Sequence, residues 1–92
     1  MTTNSLFPLG HISATPNALA YLAPHNLTPI PFLRRHQQGD WGCVPAEDAN
    51  ANNEALHNEG RLLSSYAVGD GKVWLITEAD RSATTLLLPD DY

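Results

Sequence analysis

The sequence predicts one small α+β domain over residues 1–92: two to three short N-terminal helices packed on a C-terminal three-stranded antiparallel β-meander, with an N-terminal segment as a candidate edge strand. Three observations predict it. The pairs Thr15-Pro16 and Thr28-Pro29 each place a capping hydroxyl before a proline, the signature of a helix start. After Gly60 the apolar spacing changes from helical to alternating. Gly69-Asp70-Gly71 then separates two apolar runs, as a tight hairpin does.

Each element follows in order. Residues 1–5 are polar and are expected to fray. Leu6 to Ile12 is apolar but carries Pro8 and Gly10, so it reads as an extended edge segment. Pro16 to Ala23 reads as a helix that buries Leu19 and Leu22 and is stopped by Pro24. The second helix runs from Thr28-Pro29 to about Gln38, with Ile30 and Leu33 on its apolar stripe and Gly39 ending it. Arg34 and Arg35 in its last half complement the helix dipole. A third helix begins near Pro45, has Glu47 and Asp48 in its first turn, and ends before Gly60. Its stripe of Ala49, Asn53 and Leu56 predicts light packing. Leu62 to Val68, Lys72 to Glu78 and Ala83 to Leu88 are the three strands. Alternation places Trp74, Ile76 and Glu78 on one sheet face and Val73, Leu75 and Thr77 on the other. Both faces are apolar, so one packs on the helices and the other is either partly covered or available to a partner; Trp74 is the candidate anchor on whichever surface it joins.

Composition narrows the functional classes. Ten acidic residues face five basic ones, a formal charge of −5. That balance argues against direct nucleic-acid binding, which draws its affinity from Lys and Arg on phosphates. It favours docking on a basic protein surface. The single cysteine, Cys43, allows no intrachain disulfide and reads as a small buried apolar residue of a cytoplasmic protein. No apolar run reaches the roughly 20 residues of a membrane span, and the first residues lack the basic and apolar regions of a secretory signal. The histidines at 11, 25, 36 and 57 lack metal-ligand spacing, so no metal is expected. With no Walker loop, dinucleotide glycine pattern or nucleophile elbow, no cofactor is expected either.

Two polar groups stand out. In His36-Gln37-Gln38-Gly39-Asp40-Trp41-Gly42, a carboxylate follows an imidazole at a helix end, where Asp40 would orient His36 for acid–base work. Trp41, between two glycines, either plugs the core or sits on a recognition surface. In Glu78-Ala79-Asp80-Arg81-Ser82, Asp80 can cap its own turn, and Arg81 can pair with Glu78 or Asp40. A catalytic reading of the same residues uses Arg81 to hold a phosphate, Glu78 as general base, and Thr84 or Tyr66 as hydrogen-bond donors.

The strings Leu6-Phe7-Pro8-Leu9-Gly10, Ala14-Thr15-Pro16, Arg35-His36 with Gly39-Asp40-Trp41-Gly42, Arg61-Leu62-Leu63-Ser64, Trp74 to Ser82, Thr84-Thr85, and Leu87-Leu88-Pro89 with Tyr92 carry a resemblance over nearly the whole chain. Together they resemble a functionally uncharacterised family of small proteins from bacterial plasmids and other mobile elements. Its members often bear the names "plasmid-related protein" or "type I restriction endonuclease subunit M". A methyltransferase subunit is excluded physically, because 92 residues without a glycine-rich cofactor loop cannot hold that fold. The resemblance implies a neighbourhood of restriction and defence systems. On this reading the protein is a non-enzymatic interaction protein that modulates or inhibits a host nucleic-acid-handling or defence complex of restriction or CRISPR type. Asp40, Glu78, Asp80, Arg81, Asp90 and Asp91 would supply its charged contacts, and Trp41, Trp74 and Tyr92 its anchors. The helix-then-meander order also looks similar to the barnase/RelE-like ribonucleases. That similarity implies a metal-independent ribonuclease with His36, Glu78 and Arg81 as its catalytic residues. The exposed sheet face or edge strand could also pair two copies into a homodimer.

Overall fold

The computed structural model describes residues 5–92, so most of the fraying expected at residues 1–5 lies outside the described residues. The chain forms β1 (His11–Ala14), α1 (Pro16–Leu22), a 3₁₀ turn (Ala23–His25), α2 (Ile30–Gln37), α3 (Ala46–Asn58), β2 (Leu62–Val68), β3 (Gly71–Thr77), β4 (Ala83–Leu87) and a 3₁₀ turn (Pro89–Asp91). The α+β class holds.

The sheet is larger and more mixed than the expected meander. It has four strands in the order β1-β4-β3-β2. The β2–β3 and β3–β4 pairs are antiparallel, whereas β1 runs parallel to β4 with His11 opposite Ala83 and Ala14 opposite Leu86. The edge segment thus becomes a paired strand. Pro8 and Gly10 both precede the four paired residues, so neither breaks the ladder. At the hairpin, Val68 pairs with Gly71 and the positive φ falls on Gly69, so the turn is Gly69-Asp70 rather than Asp70-Gly71.

Of the helices, the first starts where the sequence marks it. The second, α2, begins at Ile30 with Pro29 at its N-cap and no side-chain cap bond, so Thr28 does not cap it. Thr15 caps α1 by accepting from the Ala18 amide at 3.1 Å, and Pro16 occupies the first turn. Their buried faces are rotated from the expected ones. Helix α1 buries Ala18 and Leu22 while Leu19 is 46% exposed, and α2 buries Phe32, Leu33 and His36 while Ile30 is 51% exposed. In α3, Asn52 and Ala55 are the buried residues. Short helices permit this, because two or three apolar residues leave the facing angle open by a residue either way.

All three helices pack on one face of the sheet. Ala18, Leu22, Phe32 and Leu33 meet Tyr66, Val68, Val73, Leu75 and Leu86 in one cluster, and Phe7, Trp41, Ala55 and Leu62 form a second. These sheet residues lie on a single face by alternation, with Ser64, Thr77 and Thr84. The opposite face carries Leu63, Ser65, Trp74, Ile76, Thr85 and Leu87.

The edge at β2 is closed by the chain itself. The Asn52 side chain accepts from the Leu63 amide at 3.1 Å and donates to the Leu63 carbonyl at 2.7 Å, as a neighbouring strand would. Two residues along, the Ser65 amide donates to the Trp41 carbonyl, and the Ser65 carbonyl accepts from the Cys43 amide at 2.7 Å. Gly42 lies so close to Ser65 that a side chain there would collide with the strand, and its φ of +76° also demands glycine. Such closure denies β2 to a foreign strand.

Candidate interaction surface

The residues singled out in the sequence separate into a buried set and an exposed set. His36 belongs to the first. It is wholly buried, with Nδ1 2.5 Å from Ser64 Oγ and Nε2 2.9 Å from Thr77 Oγ1. Thr77 Oγ1 lies 2.8 Å from Thr84 Oγ1, which donates to the Leu9 carbonyl at 2.7 Å. A carbonyl can only accept, and this fixes every donor in the chain. Thr84 gives its proton to Leu9, Thr77 gives its proton to Thr84, and His36 therefore donates from Nε2. Its Nδ1 is left to accept from Ser64. One polar ladder thus crosses α2, β2, β3, β4 and the N-terminal segment. Burial, followed by the charge of Arg81, holds the His36 pKa down at about 4, so the imidazole is neutral at pH 7.

Asp40 does not orient this imidazole. It accepts from Arg35 Nε at 2.7 Å and from the Gly42 amide at 3.1 Å, and these bonds, that to Arg35 foremost, hold its carboxyl below the usual range. The reason is reach: His36 points into the core, whereas Asp40 turns out past the helix end. Trp41 is the core plug, stacked on Phe7 and edge-on to His36, with its indole N–H donating to Asn53 at 3.0 Å. Tyr66 is also buried, and its hydroxyl donates to the Asp40 carbonyl at 2.6 Å. Cys43, expected to be buried, is exposed; its amide and thiol both engage Ser65 at the sheet edge.

Arg81 pairs with neither Glu78 nor Asp40. Its guanidinium donates to the main-chain carbonyls of Gly60 at 2.6 Å, Ala55 at 2.9 Å, Glu78 at 3.1 Å and Ala79 at 3.2 Å. It thereby closes the C-terminus of α3 onto the β3–β4 turn, where cationic donors best satisfy orphan carbonyls. Asp80 caps that turn as expected, accepting from the Ser82 amide at 3.0 Å. With His36 inaccessible and Arg81 committed to carbonyls, His36, Glu78 and Arg81 do not present their side chains together to one substrate. Nor does any group of three or more His, Cys, Asp or Glu among the described residues fit a metal.

The exposed set lies on the outer sheet face. Trp74 is half-buried there, and the Tyr92 ring meets it edge-on at 6.0 Å. Tyr92 is 70% exposed. It is carried back over the sheet by the last 3₁₀ turn. Asp91 locks that turn by accepting from Thr15 Oγ1 at 2.7 Å, Asn17 Nδ2 at 2.8 Å and the Leu88 amide at 3.0 Å. Beside this ring pair opens a cavity of about 230 Å³ lined by Arg61, Leu63, Trp74, Ile76 and Tyr92. At its rim Arg61 donates to the Tyr92 hydroxyl at 2.9 Å and faces Glu78 at 3.5 Å.

No family model, curated protein or solved structure matches the chain.

Of the residues expected to bind a partner, the structure gathers Trp74, Glu78 and Tyr92 on one face. It sends Trp41 and Arg81 to structural duties and leaves Asp40 and Asp80 in their own turns. Ile76 was already placed on the face of Trp74, but Arg61 and Leu63 were missed by sequence reasoning. Alternation from Ser65 back through Leu63 to Arg61 places them on the face of Trp74 and Ile76, so the pattern held the signal. No helix among the described residues is long and apolar enough to cross a membrane.

Proposed function

We propose that the protein is a non-enzymatic interaction module that docks through the outer face of its sheet onto a basic, apolar-studded surface of a protein partner. One observation carries the reading: Trp74 and Tyr92 flank an open apolar groove on the sheet face opposite the helices. Aromatic anchors beside an apolar recess are what binding hot spots are made of. Charge supplies the second half. The chain carries a net charge of −5, and Glu78 and Asp90 lie beside the groove or in the adjoining turn. A basic partner is drawn in and oriented by that excess. The partner class proposed is a host nucleic-acid-handling or defence complex of restriction or CRISPR type, whose activity this docking would modulate. It follows from the resemblance to mobile-element proteins.

The test compares wild type with Trp74→Ala in binding to purified restriction and CRISPR-type effector complexes, with thermal unfolding followed in parallel. Wild type is expected to bind one such complex and lower its nuclease rate. Trp74→Ala is expected to lose at least about tenfold in affinity while remaining folded, as central anchors do. Equal binding by the two proteins would move the interface elsewhere. The ribonuclease alternative is tested by incubation with a mixed RNA pool, which is expected to survive. Cleavage by wild type that disappears in Glu78→Gln, an exposed member of the proposed set, with folding retained would revive it.

A further inference from the structure

Arg61 makes three separable contacts on the outer face. Its Cζ lies 5.7 Å from the centre of the Tyr92 ring, its Nη1 donates to the Tyr92 hydroxyl at 2.9 Å, and its Nη2 lies 3.5 Å from Glu78 Oε2. An aromatic face, a phenol oxygen and a carboxylate thus converge on one guanidinium. That trio is the chemistry of a cation site. Here the chain fills the site with its own arginine.

The resident is weakly held. The side chains of Arg61 and Glu78 are 49% and 45% exposed, and exposed ion pairs of this kind add little to stability. Solvent can take up the displaced Arg61 head at small cost. Beside the guanidinium remains the cavity of about 230 Å³ with Leu63 and Ile76 in its lining and Trp74 as a wall. That space suits the apolar side chain next to an incoming cation. Arg81 is the contrast, since four main-chain carbonyls hold it and no ligand of the same type could replace it cheaply.

We propose that Arg61 is an exchangeable occupant of a cation site formed by Tyr92 and Glu78, and that a partner arginine followed or preceded by an apolar residue displaces it, seating its own guanidinium on Tyr92 and its neighbour in the adjoining cavity against Leu63, Trp74 and Ile76. The inference rests on the outer face being the docking surface and names the chemistry recognised there. It accounts for an acidic protein carrying an arginine at the rim of a surface that receives basic partners: the arginine keeps the site closed to weak or merely cationic solutes until an apolar neighbour adds its burial.

The experiment is a titration, followed by NMR of the Trp74 and Tyr92 rings, with two capped dipeptides, acetyl-Leu-Arg-amide and acetyl-Leu-Gln-amide. The proteins are wild type, Arg61→Ala, Arg61→Gln, and Arg61→Ala combined with Glu78→Gln. Both Arg61 variants are expected to bind the arginine probe about fivefold more tightly than wild type does, the size of an exposed cation–aromatic contact. The glutamine probe is expected to change less than about twofold, and Glu78→Gln to remove the arginine preference. Equal or weaker arginine binding by the Arg61 variants overturns the exchange, as does an equal gain for both probes, which would make Arg61 a simple plug. If both probes shift the two rings without arginine preference, the groove stands and only the exchange falls. If neither probe shifts them in any protein, the docking surface falls with it.

Discussion

The two faces of the sheet spend their polar residues in opposite ways. On the inner face, Ser64, His36, Thr77 and Thr84 form a closed series in which every buried side-chain nitrogen and oxygen has a partner. On the outer face, Arg61, Glu78 and Tyr92 satisfy one another in contact with water. The inner series cannot be exchanged for solvent, so it specifies the fold. The outer set can be exchanged at little cost, so it is available to bind. Burial, not residue type, divides the duties: the most catalytic-looking residue in the chain, His36, is the one furthest from any substrate.

The largest break in this comparison is His36→Ala. It leaves Ser64 and Thr77 without their shared partner and opens a void between Phe7 and Trp41, which both pack on the ring. Lost packing and unpaired buried hydroxyls together predict a loss of about 3–4 kcal/mol in urea unfolding. A loss below about 1 kcal/mol would show that the ladder carries little of the fold.

Acid probes the same residue without a mutation. The folded protein holds His36 at a pKa of about 4, below its ordinary value of 6.5. The unfolded chain therefore binds more protons between these values, and stability falls as pH drops from about 6.5 to 4. Above pH 6.5 the full contribution is present; across the window about 3 kcal/mol is lost. The carboxyls whose pKa is lowered, Asp40, Asp80 and Asp91, act below their ordinary value of 3.8 and so leave this window to His36. NMR titration of the His36 ring checks the origin: a midpoint near 6.5 would refute a neutral, desolvated imidazole.

Much of this was legible in the sequence, and the rest was hidden for definite reasons. Thr15-Pro16 and Gly69-Asp70-Gly71 announce their elements locally, though the turn falls one residue earlier than Asp-Gly suggests, and alternation places Trp74 and Val73 on opposite faces. Strand β1 was not legible as part of the ladder because its partner, β4, lies some 70 residues away and nothing in His11–Ala14 marks a parallel pairing. The ladder itself is half visible. Alternation places Ser64, Thr77 and Thr84 inward, but only the turn of α2 brings His36 between them. Arg81 was misread because its partners are main-chain carbonyls, which no residue type advertises. A neighbouring Glu78 looked like the natural mate, yet Arg81 sits at φ +61°, and the turn aims its side chain back at α3.

Arg81→Lys breaks the link between the two faces, since its turn joins the inner strand end to Glu78. A lysine keeps the charge but cannot spread donors over four carbonyls. A loss of about 2 kcal/mol is expected, with His36 still silent at pH 7. Full stability in Arg81→Lys would mean that charge at the end of α3, not the planar fork, is what matters.

The smallest effect sharpens the comparison most. Arg61→Ala removes a guanidinium with as many side-chain partners as His36 has, one ion pair and one hydroxyl contact. Its partners Tyr92 and Glu78 are exposed, however, and return to water when it leaves. The expected change in unfolding free energy is about 1 kcal/mol or less. Equal partner counts would then give stability effects several-fold apart, set by solvent access alone. A loss above about 1.5 kcal/mol would show that the outer face is part of the fold's own framework. In that case the contrast between the faces would fail, and a displaceable Arg61 with it, because a residue that holds the sheet together cannot also yield its place to a partner.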